Sequence, residues 1–419
     1  MKIPRRSVLK GGAVSALGVA MHSLGEGMQV AVPMMKPAAT TLPVKDEFVV
    51  HEYEVCLNNA RWHPMSKGAK QAVVDYLDYK SHGVVTQQGL TSPASVAVRH
   101  SFAELIGAKA DEIAFVNSTT AGENMVVAAL GLHQPGKGNI VTDALHFEGS
   151  LYLYQELMKR GVDVRIVKPR GWVIDAKGLE ASIDKDTKLV AVSKISFING
   201  FEHDLSAICK VAHARGALVY ADVVQAAGCI PVEVRESGVD FVGSASYKWL
   251  QGDFGLGFLY ARHDVLPKLE RTQWSFRQTA SYDYHAFPGD PAGQYPASYE
   301  QLQTAAGYFE LGTYANSVLA ALSYSLPWIQ QIGVAKIQAH ALELNAKLRR
   351  EMPKLGYDCI TPEDAKGTII AFAVKDNVAT AAKLKAKKVD VGLNPGRMRV
   401  SPSIYNTMAD VDALLAALS

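Results

Sequence analysis

Lys248 closes the run Ser244-Ala245-Ser246-Tyr247-Lys248, which follows the apolar pair Phe241-Val242 and precedes a glycine-rich stretch from Gly252 to Gly257. A lysine at the end of a buried strand packs badly but suits chemistry. Low dielectric disfavours the ammonium form, and the neutral amine is a nucleophile. With hydroxyls at Ser244, Ser246 and Tyr247 crowding the same bend, the stretch can seat a phosphorylated carbonyl cofactor held as a Schiff base. Taken alone, it reads better as a surface lysine at a strand end.

Three more strand ends carry polar groups. In Asn117-Ser118-Thr119-Thr120-Ala121-Gly122-Glu123, Thr120 and Glu123 have capping-box spacing, and free N–H groups beside hydroxyls at a helix start favour a phosphate. The plain cap is the alternative. Asp143-Ala144-Leu145-His146-Phe147 offers an aromatic that can lie flat on a ring, or a core residue. Asp222-Val223-Val224-Gln225 places a carboxylate where it can hold a pyridine nitrogen protonated, or cap the next helix.

These ends need elements to position them. Apolar runs at 112–116, 139–142, 162–167, 189–192 and 218–221 read as strands, and helical patterns at 122–132, 151–160 and 205–215 alternate with them. Earlier helices are expected from Pro64 to Leu77 and from Ser95 to Ile106. Continuous apolar strands separated by helices predict an α/β fold whose mostly parallel sheet is covered on both faces, with a ligand at the carboxyl ends of the strands. Helical patterns at 317–332 and 336–351, then strands at 367–374 and 397–401, predict a smaller α+β domain. The expected division is a leader over 1–43, a large domain over 44–312 and a small one over 313–419, with the N-terminal segment packed on the small domain.

The chain has 419 residues, 48% hydrophobic and 20% charged, which is ordinary globular composition with enough apolar mass for a large core. A net charge of +2 leaves no nucleic-acid footprint, and no internal run reaches the length of a membrane helix. Cys56, Cys209, Cys229 and Cys359 are scattered among apolar neighbours without metal spacing, so buried thiols and no metal site are expected.

Pro4-Arg5-Arg6-Ser7-Val8-Leu9-Lys10 precedes a weakly apolar run, Gly11 to Ala20. Paired arginines in that setting resemble a twin-arginine export signal, read by the export machinery rather than inserted stably into a membrane. Export to the periplasm is the expectation, and a cytoplasmic protein with a basic start is the alternative.

The ordered set Thr-Thr, aromatic, Asp-x-x-Gln, Ser-Tyr-Lys resembles the class V aminotransferases, pyridoxal-phosphate enzymes of fold type I, over roughly residues 50–419. Phe309-Glu310-Leu311-Gly312-Thr313 is similar to the family's Glu-x-Gly-Thr motif, and Arg399-Val400-Ser401-Pro402 to its C-terminal signature.

The resemblance implies a seven-stranded central sheet and pyridoxal 5'-phosphate on Lys248, which would later shuttle protons. Asp222 would pair with the ring nitrogen, Gln225 with the ring's phenolic oxygen, and Phe147 (or His146) would stack on the ring. Thr119, Thr120, Ser246 and Tyr247 would bind the phosphate. Thr313 would reach the partner subunit's phosphate in a homodimer with shared active sites. Arg399 would clamp a substrate carboxylate, with Arg61 and Arg397 as weaker candidates.

Two departures stand out. Phe197, in Ser193-Lys194-Ile195-Ser196-Phe197, replaces an asparagine of the family's pattern, and no cysteine follows Cys359, which argues against a cysteine desulfurase. Transamination of an amino acid or amine is the expected activity. Alternatives are epimerase or Cα–Cβ/C–S lyase chemistry, a periplasmic peptide or siderophore tailoring step, and a sensor or binding protein that keeps the fold.

Overall fold

The computed structural model describes residues 40–82 and 91–419. The paired arginines and most of the expected leader lie outside the described residues.

The chain opens with the short strand β1 (Val55–Cys56) and helices α1 (Lys67–Ser81) and α2 (Thr91–Leu105). Strands and helices then alternate through β2 (Ile113–Val116), α3 (Thr119–Ala129), β3 (Asn139–Asp143), α4 (Glu148–Lys159), β4 (Asp163–Val167) and α5 (Ala176–Ser182). β5 (Thr187–Ser193), α6 (Leu205–Ala214), β6 (Leu218–Asp222), α7 (Val234–Ser237), β7 (Phe241–Ala245) and β8 (Gly257–Ala261) continue the pattern. A hairpin of β9 (Thr279–Tyr284) and β10 (Ala297–Gln301) follows, then α8 (Ala305–Phe309), α9 (Asn316–Ile332) and α10 (Val334–Glu351). The C-terminal part holds β11 (Ile370–Ala373), α11 (Asn377–Ala386), β12 (Val389–Asp390), β13 (Gly392–Asn394), β14 (Arg397–Val400) and α12 (Met408–Leu418).

The central sheet has seven strands in the order β2-β8-β7-β6-β5-β3-β4. The run from β7 to β4 is parallel, and β8 pairs antiparallel with both β7 and β2. This is the fold-type I α/β architecture. Both faces are buried, so successive residues of one strand enter different cores. Leu189 and Ala191 of β5 join Tyr154 and Leu157 of α4 on one face, whereas Val190 and Val192 join Leu205 and Ile208 of α6 on the other.

Helix starts follow from local chemistry. Ser66 caps α1 by accepting from the Ala69 N–H, and Asp204 caps α6 by accepting from that of Ala207. The expected Thr120–Glu123 capping box does not form. Ser118 caps α3 instead, accepting from the Ala121 N–H at 3.1 Å, so the helix starts at Thr119 and the Glu123 side chain is free for another task.

A separate core gathers Leu344 and Leu348 of α10, Phe372 of β11, Met398 of β14 and Val411 of α12 around Leu57. The N-terminal segment is tied in here, because β1 runs parallel to β12 and the Asn59 amide donates to the Ser401 carbonyl at 2.8 Å. A division at 313 needs correction. Leu319, Leu322 and Trp328 of α9 pack in the large core, so the smaller core draws its helices from α10 onward. An apolar helix pattern tells that a face is buried, not against which body.

Candidate active site

The carboxyl ends of β5, β6 and β7 and the start of α3 surround a cavity of about 140 Å³. Thr119 stands in the first turn of α3, and its buried Oγ1 has no hydrogen-bond partner among the described residues. Ser118 and Thr120 line the same end, with Thr120 exposed. The helix N-terminus adds unsatisfied N–H groups and a positive dipole end, so this corner is built for an anion. Gly243 lets β7 pass close: a Cβ there would lie 2.1 Å from the Tyr220 hydroxyl and 2.9 Å from Thr119 Cγ2.

Asp222 ends β6, and its Oδ1 accepts from the Val224 N–H at 2.8 Å. That bond organises a turn rather than a helix cap. Burial pushes the carboxyl's pKa up, opposed by the charges of His146 and Lys248. Gln225 is clamped at both ends, accepting from Trp249 Nε1 at 2.9 Å and donating to the Ala60 carbonyl at 3.0 Å. Its second amide hydrogen remains available. Phe147 lines the cavity, with its ring edge-on to Phe197 at 5.6 Å. His146 turns away from the cavity, between Ser193 and Glu123.

Lys248 is 8% exposed and shares the cavity. Burial pushes its pKa down to about 8, helped by the Arg399 charge and opposed by Asp222. Tyr247 also lines the cavity, its ring stacked on Phe254 at 4.3 Å. Ser246 does not, which corrects the expectation of a direct phosphate contact. Its fully buried hydroxyl lies 2.6 Å from each of the Asp253 and Leu256 carbonyls and fastens the glycine-rich loop.

Arg399 on β14 donates through Nη1 to the Phe197 carbonyl at 2.9 Å, while its buried Nε has no partner among the described residues. Burial and the neighbouring Arg397 and Arg61 lower its pKa to about 10. Phe197 thus makes a polar contact through its backbone that its side chain lacks. Arg61 is exposed and Arg397 half-buried, and neither these two nor Arg399 itself lines the cavity; Arg399 reaches it through Phe197, which does. Thr313 is exposed and outside the cavity of its own chain.

Residue-level reading overlooked Ser118 and Ser193, which also line the cavity, and the cluster of Glu123, His146, Ser150 and Tyr154 beside it. The four-residue spacing of Ser150 and Tyr154 on α4 was the one available signal.

A parallel α/β sheet with an amine, a carboxylate and an anion corner at its carboxyl edge defines a cofactor-dependent enzyme scaffold. The chain matches the family Aminotransferase class-V over residues 69–414, and it belongs to that family. A probable cysteine desulfurase of Methanothermobacter thermautotrophicus is 29% identical, covering 77% of this chain and 78% of the relative. A kynureninase of Shouchella clausii is 24% identical over 88% of each chain. Among solved structures, a C-DES mutant with glycine covalently linked to its PLP cofactor superposes with a TM-score of 0.78 at 19% identity, covering 90% of this chain and 99% of the other.

The cofactor of this enzyme is pyridoxal 5'-phosphate, and the residues present fit it. The unpartnered Thr119 hydroxyl and the α3 N-terminus suit its phosphate, Asp222 its ring nitrogen, the spare Gln225 hydrogen its phenolic oxygen and Lys248 its carbonyl.

Proposed function

We propose that the protein is an aminotransferase acting on an amino acid or amine that carries a carboxylate. The observation that supports this most is the shared cavity of Lys248, Asp222, Gln225 and Thr119. When bound, the cofactor supplies an electron sink for the Cα bond. Thr119 and the α3 amides hold its phosphate, and Asp222 keeps a proton on its ring nitrogen. Lys248, pushed down to about 8, would take the substrate's Cα proton as the free amine and hold it as the ammonium, away from Cα. Arg399 offers its unpaired Nε to the substrate carboxylate. Phe147, Ile195 and Phe197 keep water off the reacting face.

A lyase reading is favoured by one observation, that relatives include a kynureninase and a probable cysteine desulfurase. Product stoichiometry separates the two. With an amino donor and no oxo-acid acceptor, an aminotransferase makes about one equivalent of oxo acid per site and stops, whereas a lyase continues.

We also propose a homodimer in which Thr313 of one subunit serves the phosphate of the other, supported by its exposure and by the Glu-x-Gly-Thr resemblance. Export rests on Arg5 and Arg6 alone. Replacing both with lysine should retain the protein in the cytoplasm, and unchanged localisation would remove that part of the proposal. A tailoring step on a secreted peptide or siderophore would suit an exported enzyme.

A further inference from the structure

Beside the cavity lies a buried cluster that the proton work of Lys248 does not use. Glu123 of α3 and His146, in the bend after β3, are each 1% exposed. Ser150 and Tyr154, one turn apart on α4, donate to Glu123, Tyr154 Oη to Oε1 at 2.6 Å. His146 Nε2 lies 3.1 Å from Glu123 Oε1, and its Nδ1 lies 2.8 Å from Ser193 Oγ. Ser193 lines the cavity and is the register partner of Asp222 on the neighbouring strand.

With two hydroxyls donating to it, Glu123 is held as an acceptor, the ionised form. A buried carboxylate needs a countercharge, and His146 is the base in contact with it. If both imidazole nitrogens carry hydrogen, Nδ1–H donates to Ser193 Oγ. The Ser193 hydroxyl hydrogen must then point elsewhere, and the open direction is the cavity. In the competing arrangement a neutral His146 accepts from Ser193 and turns that hydrogen away.

We propose that Glu123 holds His146 as a doubly protonated imidazolium, whose charge keeps the neighbouring Asp222 ionised and directs the Ser193 hydroxyl into the cavity as a donor. Glu123, His146 and Ser193 are thereby positioning residues for the ring-binding carboxylate. Burial works against a charge on His146, but Glu123, then Asp222 and Asp143, outweigh it and raise its pKa. Burial also raises the pKa of Asp222, and the His146 charge is the largest opposing influence. The charged and titratable groups facing this imidazole are Glu123 of α3, Tyr154 of α4, Asp143 of β3 (paired with His203 at 2.9 Å) and Asp222 of β6, with Lys248 beyond. The effect on the cofactor rests on the function proposed above, whereas the charge of His146 belongs to the cofactor-free protein.

Nitrogen NMR of histidine-labelled, cofactor-free protein tests this, with His146→Gln identifying the signal. Both ring nitrogens should remain protonated above the pH at which an ordinary histidine loses its charge. Glu123→Gln should return His146 to a neutral ring with one bare nitrogen. After reconstitution, Glu123→Gln should weaken cofactor binding by roughly tenfold and shift the pH titration of the visible band. Ser193→Ala should weaken binding while leaving the His146 signal charged. A bare nitrogen on His146 in the wild type near neutral pH overturns the proposal, even if Glu123→Gln does not fold. So does a Glu123→Gln variant whose His146 stays charged. Failure of the protein to bind cofactor at all would count against the proposed function, and the NMR signal would still decide the charge of His146.

Discussion

Asp222 and Lys248 share one cavity because β6 and β7 are parallel neighbours, with Asp222 paired to Gly243 and Lys248 just past the strand's end. Parallel strands release their last residues on the same edge of the sheet. The carboxylate and the amine are therefore brought together by topology across a long stretch of sequence, and each opposes the effect of burial on the other.

The buried amine predicts a pH-dependent cost in the cofactor-free protein. Folded Lys248 releases its proton near pH 8, against an ordinary value of 10.5. Between these values the unfolded chain binds more protons, so stability rises with pH; below about 8 the full penalty applies. Lys248→Met should be more stable than wild type at pH 7 by on the order of 2 to 3 kcal/mol, with the gap closing as pH approaches the ordinary lysine value. Urea denaturation at neutral and high pH measures it, and equal stability at both would contradict the burial argument.

Arg399 offers a planar fork with one arm on the Phe197 carbonyl. Arg399→Ala should lower kcat/KM for a carboxylate-bearing donor by roughly 10- to 100-fold, mainly through KM. Arg399→Lys should recover only part, since a point charge lacks the fork. Steady-state kinetics on a donor with and without the carboxylate checks this, and equal losses on both would dissociate Arg399 from substrate binding.

Gly228 sits at a φ of +93°, where a Cβ would lie 2.8 Å from the Trp249 carbonyl. Gly228→Ala should cost roughly 2 kcal/mol through backbone strain and push on the residue after Lys248. Thermal unfolding should register the loss, and reconstitution should be slower. An unchanged melting temperature would show that the loop yields freely.

Thr313 lies outside its own chain's cavity. Thr313→Ala should leave the isolated fold unaltered but weaken cofactor binding by roughly 10-fold, the value of one hydrogen bond to a charged group. Mixed dimers of Thr313→Ala and Lys248→Ala chains should pair one intact site with one doubly defective site, or two singly defective ones, depending on which subunit supplies Thr313. Reconstitution of the mixture distinguishes these. A cofactor affinity that ignores Thr313 would remove it from the site.

The strand-and-helix alternation and the polar strand ends were legible because parallel strands buried on both faces read as continuous apolar runs, and ligand groups gather at their ends. Lys248, Asp222, Gln225, Phe147 and Thr119 therefore line or flank one cavity as their spacing suggested. Ser246 did not follow, because a hydroxyl beside a lysine can equally well fasten a loop, and only tertiary contacts decide. The hairpin of β9 and β10 carries mostly exposed side chains, so no inward-facing alternation marked it. The partnership of Glu123 with His146 joins α3 to the end of β3, a long-range contact no local pattern encodes.

The absorption spectrum of the purified protein supplied with pyridoxal 5'-phosphate, before and after an amino donor, tests the central claim most directly. The account predicts a visible band that Lys248→Ala abolishes, bleached by the donor as one equivalent of oxo acid appears. Turnover in the wild type should exceed that of Lys248→Ala by roughly 10²- to 10⁴-fold or more. A band that persists while product keeps forming without an acceptor would replace transamination with a lyase. No band, or one that survives in Lys248→Ala, would contradict the assignment of Lys248.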